Sequence, residues 1–389
     1  MPTRSRRVNR TQQPSGKFIS VGTGDAQYRA FVPDPLPPHV EFDMELVLAL
    51  SEADRRLGEL AGVGRSIPNP QLLIRPFMNR EAVLSSRIEG TQAGLEELYE
   101  FEAASAAARS KMPSDVAEVA NYVNALEHGL ARLSALPLSL RLLREVHSKL
   151  MEGVRGGQAT PGEFRRSQNW IGRPGCSLDQ ATFVPPPVPE MQEVLSSLES
   201  YLHAEDSLPP LIRIAAIHYQ FESIHPFLDG NGRVGRLLIS LLLNHWELLP
   251  MPLLYLSAYF ERYRQEYYER LLGVSMNGRW REWLLFFLRG VIEESRDASG
   301  RLKLLEDLAI EYRRKVMSLG GSVLPLRLVE SLFSVPVVTV SEAQEILGVT
   351  YHSARLAVRK LVDLGILQKP SEAVYGKRFV ASEILRAVE

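Results

Sequence analysis

Hydrophobic positions recur at helical spacing along most of this chain, and the exceptions are short. One apolar face begins near Phe42 and carries Met44, Leu46, Val47 and Leu50; a second run extends over 78–101. Apolar residues three and four apart share one side of a helix, so each run predicts an element with a single buried face. Two further helices are expected over 114–136 and 139–152, and others from 190 to about 295. Within that series Ile212, Ala215, Ala216 and Tyr219 mark one core-facing stripe. Val234, Leu237, Leu238, Leu241 and Leu242 mark another, and a twelve-residue loop, 225–236, joins the two.

The departures from this rhythm divide the chain. Residues 18–40 hold Tyr28, Phe31 and then Pro33, Pro35, Pro37 and Pro38, and read as extended. Between 162 and 187, short β-prone runs (Asn169-Trp170-Ile171-Gly172 and Thr182-Phe183-Val184) flank a turn at Gly175 and end in three prolines, the pattern of a hairpin. A charged amphipathic stretch over 299–319 runs into Gly320-Gly321 and reads as a connector. Beyond it, 341–347, a turn at Gly348 and 351–364 form a helix-turn-helix pattern. Strands at 365–368 and 375–380 would add a wing. The expected fold is mainly α with a small β-hairpin, plus a C-terminal winged helix-turn-helix domain. The expected segments are 1–110, a core over 111–296, a helical linker over 297–321, and the winged unit over 322–389.

Composition narrows the function classes. The 389 residues are 45% hydrophobic and 23% charged with a formal net charge of −1, which gives no global pull toward nucleic acid or anionic membrane. Cys176 is the single cysteine, so there is no disulfide framework or thiolate metal cluster, in keeping with a cytoplasmic location. Arg4, Arg6, Arg7, Arg10 and Lys17 form a basic lead with no apolar stretch behind it, unlike a signal peptide. The longest apolar region, 237–256, is interrupted by Asn244, His245, Glu247 and two prolines, a poor membrane span. No G-x-x-x-x-G-K-[ST] sequence occurs, which sets aside a P-loop ATPase.

The joining loop concentrates the chemistry. It reads His225-Pro226-Phe227-Leu228-Asp229-Gly230-Asn231-Gly232-Arg233-Val234-Gly235-Arg236. Pro226 steers His225 out of the α region, so the first helix should end there with its imidazole on a loop. Gly230, Gly232 and Gly235 let backbone amides approach a ligand. The following helix points its unpaired amides and positive dipole end at the loop, a ready anion site. Arg233 and Arg236 add forked positive charge suited to phosphate oxygens. Asp229 offers the hard oxygen usual for a phosphate-bound magnesium.

This stretch resembles the Fic family signature H-x-F-x-[D/E]-G-N-G-R-x-x-R at every specified position, and the likeness covers about residues 20–295. It implies a Fic-type helical core whose hairpin at 162–187 is a flap, and transfer of AMP from ATP to a Ser, Thr or Tyr hydroxyl of a protein. By that resemblance His225 is the general base and Asp229 holds Mg2+. Gly230, Asn231 and Gly232 form the anion hole, Arg233 takes the outer phosphates, and Arg236 grips the γ-phosphate. Phe227 anchors the loop in the core. Glu266-Tyr267-Tyr268 also resembles the family, with Tyr268 bordering the adenine; Ser275 stands where some relatives carry an asparagine.

Upstream, Ser85-Ser86-Arg87-Ile88-Glu89-Gly90 resembles the family's inhibitory motif, [S/T]-x-x-x-E-[G/N]. The implication is that Glu89 pairs with Arg236 within the same chain and blocks the γ-phosphate position, with Ser85 one helical turn away. Some braked relatives use this glutamate to remove AMP again. A competing structural reading is that Ser86 and Glu89 fit a capping box at a helix start. The expected partners are a protein target aligned along the flap, the chain itself, and a second copy in a homodimer. Residues 339–380 offer a different reading, a DNA-binding regulator whose Fic core senses nucleotide. Tyr351, His352, Ser353, Arg355, Arg359 and Lys360 would face DNA, with Lys377 and Arg378 on phosphates. Against this, Glu342, Glu345, Asp363 and Glu372 leave the unit near neutral.

Overall fold

The helical runs form largely where the periodicity places them, with Pro76 accommodated inside one helix, and one break falls where periodicity alone predicts continuity. In a computed structural model, which describes residues 13–24, 27–66, 70–104, 109–153, 160–173, 175–318, 320, 323–368 and 378–388, the run over 78–101 is two helices. These are α2 (Pro70–Ile88) and α3 (Leu95–Ala103), and α1 (Met44–Ser66) precedes them. Gly90 separates α2 from α3 at φ 102, a conformation that a side chain would strain. Glu97 then accepts from the Gly94 amide at 2.7 Å and starts α3. Residues 18–40, read as extended, contain an antiparallel pair, β1 (Gly16–Val21) with β2 (Tyr28–Pro33), in register from Gly16–Pro33 to Val21–Tyr28.

The chain divides into two compact units. The first takes residues 1–50, 164–231 and 263–288. Its helices are α6 (Val188–His203), α7 (Pro210–Ile224) and α10 (Arg264–Asn277). α7 is buried on nearly every side and packs against α6, α10 and β2. The Trp283 indole donates to Ala215 O at 3.0 Å, closing this core. Among the described residues the hairpin at 162–187 has a β-bridge from Ile171 to Phe183, with the Ile171 amide 2.8 Å from Phe183 O. Its return limb is fixed to β2 by the Phe31 amide, 2.9 Å from Val184 O.

The second unit takes 51–163, 232–262 and 289–389. Here α2 packs against α4 (Ser114–Arg132) and α9 (Ser257–Arg262), and α4 against α5 (Leu140–Leu150). α8 (Asn231–His245) buries the stripe Val234, Leu237, Leu238, Leu241 and Leu242 completely. α11 (Trp280–Ser318) runs unbroken for 39 residues through the stretch read as a connector. C-terminal to it lie α12 (Leu324–Leu332), β3 (Val337–Val338), α13 (Val340–Leu347), α14 (Tyr351–Asp363), β4 (Phe379–Val380) and α15 (Ser382–Val388). Gly348 turns α13 toward α14, and β4 pairs with β3 while Gln368 bridges Val380. Arg378, expected to face phosphates, instead pairs with Glu100 of α3 at 3.1 Å. Residues 1–12 of the basic lead and the wing tip, with Glu372, Tyr375, Gly376 and Lys377, lie outside the described residues, whereas Lys17 of the lead sits in β1. None of the described helices is long and apolar enough to cross a membrane.

Candidate active site

The boundary between the units falls inside the 225–236 stretch, after Asn231, and each side has its own geometry. On the first side, α7 ends at Ile224 and His225 caps it at φ 50, ψ 59, a left-handed conformation rather than the extended one that Pro226 favours. Its amide still bonds to Phe221 O at 3.0 Å, so the chain reverses tightly. A histidine held there stores about 1–3 kcal/mol of backbone strain. The imidazole Nδ1 lies 3.3 Å from Glu222 O. A carbonyl only accepts, so Nδ1 carries the proton of this bond, and Nε2 is the basic nitrogen of the neutral ring.

The rest of that side is a backbone clasp. Phe227 is fully buried with its ring 5.2 Å from that of Phe164. The Asn231 carboxamide accepts from the Phe227 amide and donates to its carbonyl, both at 2.8 Å. The Asn231 side chain thus closes the loop on itself. Any anion binding by this residue falls to its backbone amide, in the unpaired first turn of α8. Asp229 is exposed and accepts from the Gly230 amide at 2.6 Å, with Gly230 at φ 76. Among the described residues no cluster of three or more His, Cys, Asp or Glu side chains is placed to hold a metal. One exposed carboxylate suits an ion that arrives with its phosphates and waters, as magnesium does.

Two residues of this side carry roles that the periodicity and motif gave no sign of. Arg165 is 1% exposed and donates through Nε to His225 O at 3.0 Å and through Nη1 to Ser167 O at 3.2 Å; Nη2 donates to Pro186 O. Burial pulls its guanidinium down to about 10. Asn169 donates to His225 O at 3.2 Å and Phe227 O at 2.8 Å. The available signal was chemical: a tight loop exposes carbonyls that need donors, and the flap carries such donors in Arg165 and Asn169.

On the second side, Arg236 is buried against the C-terminal end of α2. Its Nε donates to Ser85 Oγ at 2.8 Å, and Nη2 donates to Ser85 O at 3.0 Å and Glu89 Oε1 at 2.6 Å. A cation also suits the negative end of a helix. Ser86 and Glu89 therefore sit at a helix end, and the capping-box alternative, which requires a helix start, is overturned. A Cβ on Gly232 would collide with Glu89 Oε1, so this glycine permits the approach. Gly235 lies inside the hydrogen-bonded body of α8, so its amide is not a free donor. Arg233, also buried, meets Glu118 at 3.2 Å and Met151 Sδ at 3.8 Å.

A second carboxylate on α2 is fully buried. Glu81 accepts from Ser257 Oγ at 2.6 Å and from Tyr122 OH at 2.9 Å. Desolvation pushes its carboxyl up to about 7, against those hydrogen bonds and the Arg236 charge. From the usual carboxyl range up to about 7 the folded chain keeps a proton that the unfolded chain releases, so stability falls as pH rises through that window. Glu81→Gln cannot titrate; denaturant melts from pH 4.5 to 7 should show the parent losing up to about 3 kcal/mol relative to it.

Of the adenine candidates, Tyr268 is 42% exposed on α10, with the Arg264 guanidinium 5.9 Å from its ring centre. Its neighbour Tyr267 is the core residue, 2.8 Å from His218 Nε2. Ser275 is buried and pairs with Tyr219 OH at 2.9 Å. In the flap, Ile171 is 37% exposed beside Gly172.

With this geometry in view, residues 47–131 match the Fic/DOC family N-terminal region and residues 137–243 match the Fic/DOC family. A protein adenylyltransferase Fic of Culex quinquefasciatus is 32% identical over 136 residues, 34% of this chain and 24% of that protein. Its counterpart in Drosophila grimshawi is 33% identical over 124 residues, 31% of this chain and 22% of that protein. The match thus spans less than a quarter of either relative. A crystal structure of a Fic family protein from Desulfovibrio desulfuricans G20 covers 89% of this chain and 98% of its own at a TM-score of 0.57 and 19% identity, a likeness of fold. Residues 47–131 and 137–243 are thus the parts of the chain similar to the Fic/DOC family.

Proposed function

We propose that this chain is an autoinhibited protein adenylyltransferase, which moves AMP from ATP to a hydroxyl of a protein target or of itself. The observation that carries the reading is the complete 225–236 motif, with His225 Nδ1 turned to Glu222 O at 3.3 Å. The target oxygen attacks the α-phosphorus, its proton passes to Nε2, the bond to the β-phosphate oxygen breaks, and pyrophosphate leaves. The amides of the first turn of α8 and the Arg233 guanidinium stabilise phosphate charge, and Arg236 takes the γ-phosphate. Asp229 would hold Mg2+, which supplies charge neutralisation on the phosphates when bound. The flap limb around Ile171, whose own amide and carbonyl are taken by the return limb, presents its outer edge to the target's backbone and aligns the hydroxyl. The brake is Glu89: while its carboxylate and Ser85 hold Arg236, that guanidinium is unavailable to the γ-phosphate.

Incubation of the full chain with ATP labelled at the α-phosphate tests the chemistry. Covalent label on protein is expected, and label retained from the γ-phosphate instead would replace the reading with phosphoryl transfer. A second reading, DNA recognition by α14, draws on the exposed Tyr351 and the exposed His352, Arg355 and Arg359 on its outer face. A salt-dependent duplex shift without label transfer would favour it.

A further inference from the structure

Three backbone carbonyls from three different places converge on one buried guanidinium. His225 O belongs to the motif loop, Ser167 O to the outgoing limb of the flap, and Pro186 O to its return limb. Arg165 itself is tied to the loop a second time through its amide, 2.9 Å from Pro226 O. No carboxylate is hydrogen-bonded to this cation in any bond above; its charge is balanced by carbonyl dipoles, and burial weakens its hold on the proton without removing it.

The need for such a clamp lies in His225. A non-glycine residue at φ 50 is strained, and the following proline disfavours compact backbone further. Charge-assisted hydrogen bonds are the strong kind, and His225 O receives one from Arg165 and a neutral one from Asn169. Loosening this carbonyl lets the residue relax toward extended backbone. The imidazole then swings away from Glu222 O, and with that bond goes the preference for the proton on Nδ1.

We infer that Arg165 is a positioning residue: it sets the orientation and tautomer of His225 and couples them to the two limbs of the flap. Base and target-aligning edge are thereby held by one side chain. This rests on the adenylyltransferase reading for its kinetic consequence but not for its structural one.

The test uses the full chain and the variants Arg165→Lys and Arg165→Met. Nitrogen NMR of the His225 ring should show the Nδ1-protonated form in the parent. In both variants it should show a mixture enriched in the Nε2-protonated form. A lysine has a single ammonium and cannot span three carbonyls, so it should not restore the parent spectrum. In a Glu89→Gly background, Arg165→Lys should lower kcat for AMP transfer about 100-fold with KM for ATP within about twofold, the signature of a misplaced base. Should Arg165→Met fail to fold, Asn169→Ala removes the second donor to the same carbonyl and should shift the tautomer in the same direction. An unchanged tautomer in Arg165→Lys, or a change in KM alone, overturns the inference. If the Glu89→Gly parent transfers no AMP, the enzymatic reading fails, while the NMR arm still decides the role of Arg165.

Discussion

Glu89→Gly should raise AMP transfer by about 10–100-fold, the gain expected when a competent state populated at a few per cent becomes the dominant one. The gain follows from what the substitution leaves behind. Arg236 keeps Ser85 as a partner through two hydrogen bonds, so the guanidinium stays charged and near its place. It loses only the carboxylate that competes with a phosphate. The effect on stability should be small, within about 1 kcal/mol, because the Glu89 side chain is 38% exposed and water screens the pair. Thermal melts of parent and variant check this half of the expectation, and labelling from α-phosphate-labelled ATP checks the other. Equal labelling of the two proteins would remove Glu89 from the mechanism.

His225→Ala should lower transfer by about 10²–10⁴-fold, the usual worth of a positioned general base. The alanine also places a side chain without polar atoms at φ 50, which adds a backbone contribution to the loss. His225→Asn separates the two. Asparagine tolerates left-handed backbone better than alanine and cannot act as a base near neutral pH. Both variants should lose transfer alike while binding ATP with a Kd within about twofold of the parent, since phosphate affinity resides in the α8 amides and arginines. An asparagine variant that keeps full labelling would remove His225 from proton transfer.

How far the sequence foretold this arrangement depends on the range of the interaction. The stripe from Ile212 to Tyr219 and the stripe from Val234 to Leu242 are buried as read, because period and composition are local properties. The approach of Arg236 to Ser85 spans 151 residues and was legible only through likeness to a family motif. Its detail was not: Ser85 contributes its carbonyl as well as its hydroxyl, and Gly232 is the residue that makes room. The break at Gly90 was hidden because Ala93, Leu95 and Leu98 carry the apolar rhythm across it. The helical linker read over 297–321 continues the helix before it as one unbroken α11, since a change from apolar to charged composition signals emergence into solvent and not the end of a helix. Arg165 escaped notice because no pattern in one dimension marks carbonyls that will face inward.

The pairing of Arg236 with Ser85 and Glu89 has a thermodynamic corollary. If the end of α2 and the γ-phosphate compete for one guanidinium, their free energies are linked, and linkage is symmetric. Whatever factor the seated helix end takes from ATP affinity, saturating ATP must take from the stability of that helix end. The nucleotide is then an effector of its own gate as well as a substrate. Amide exchange at residues 85–90 should quicken with ATP and not with AMP, which has no γ-phosphate to compete.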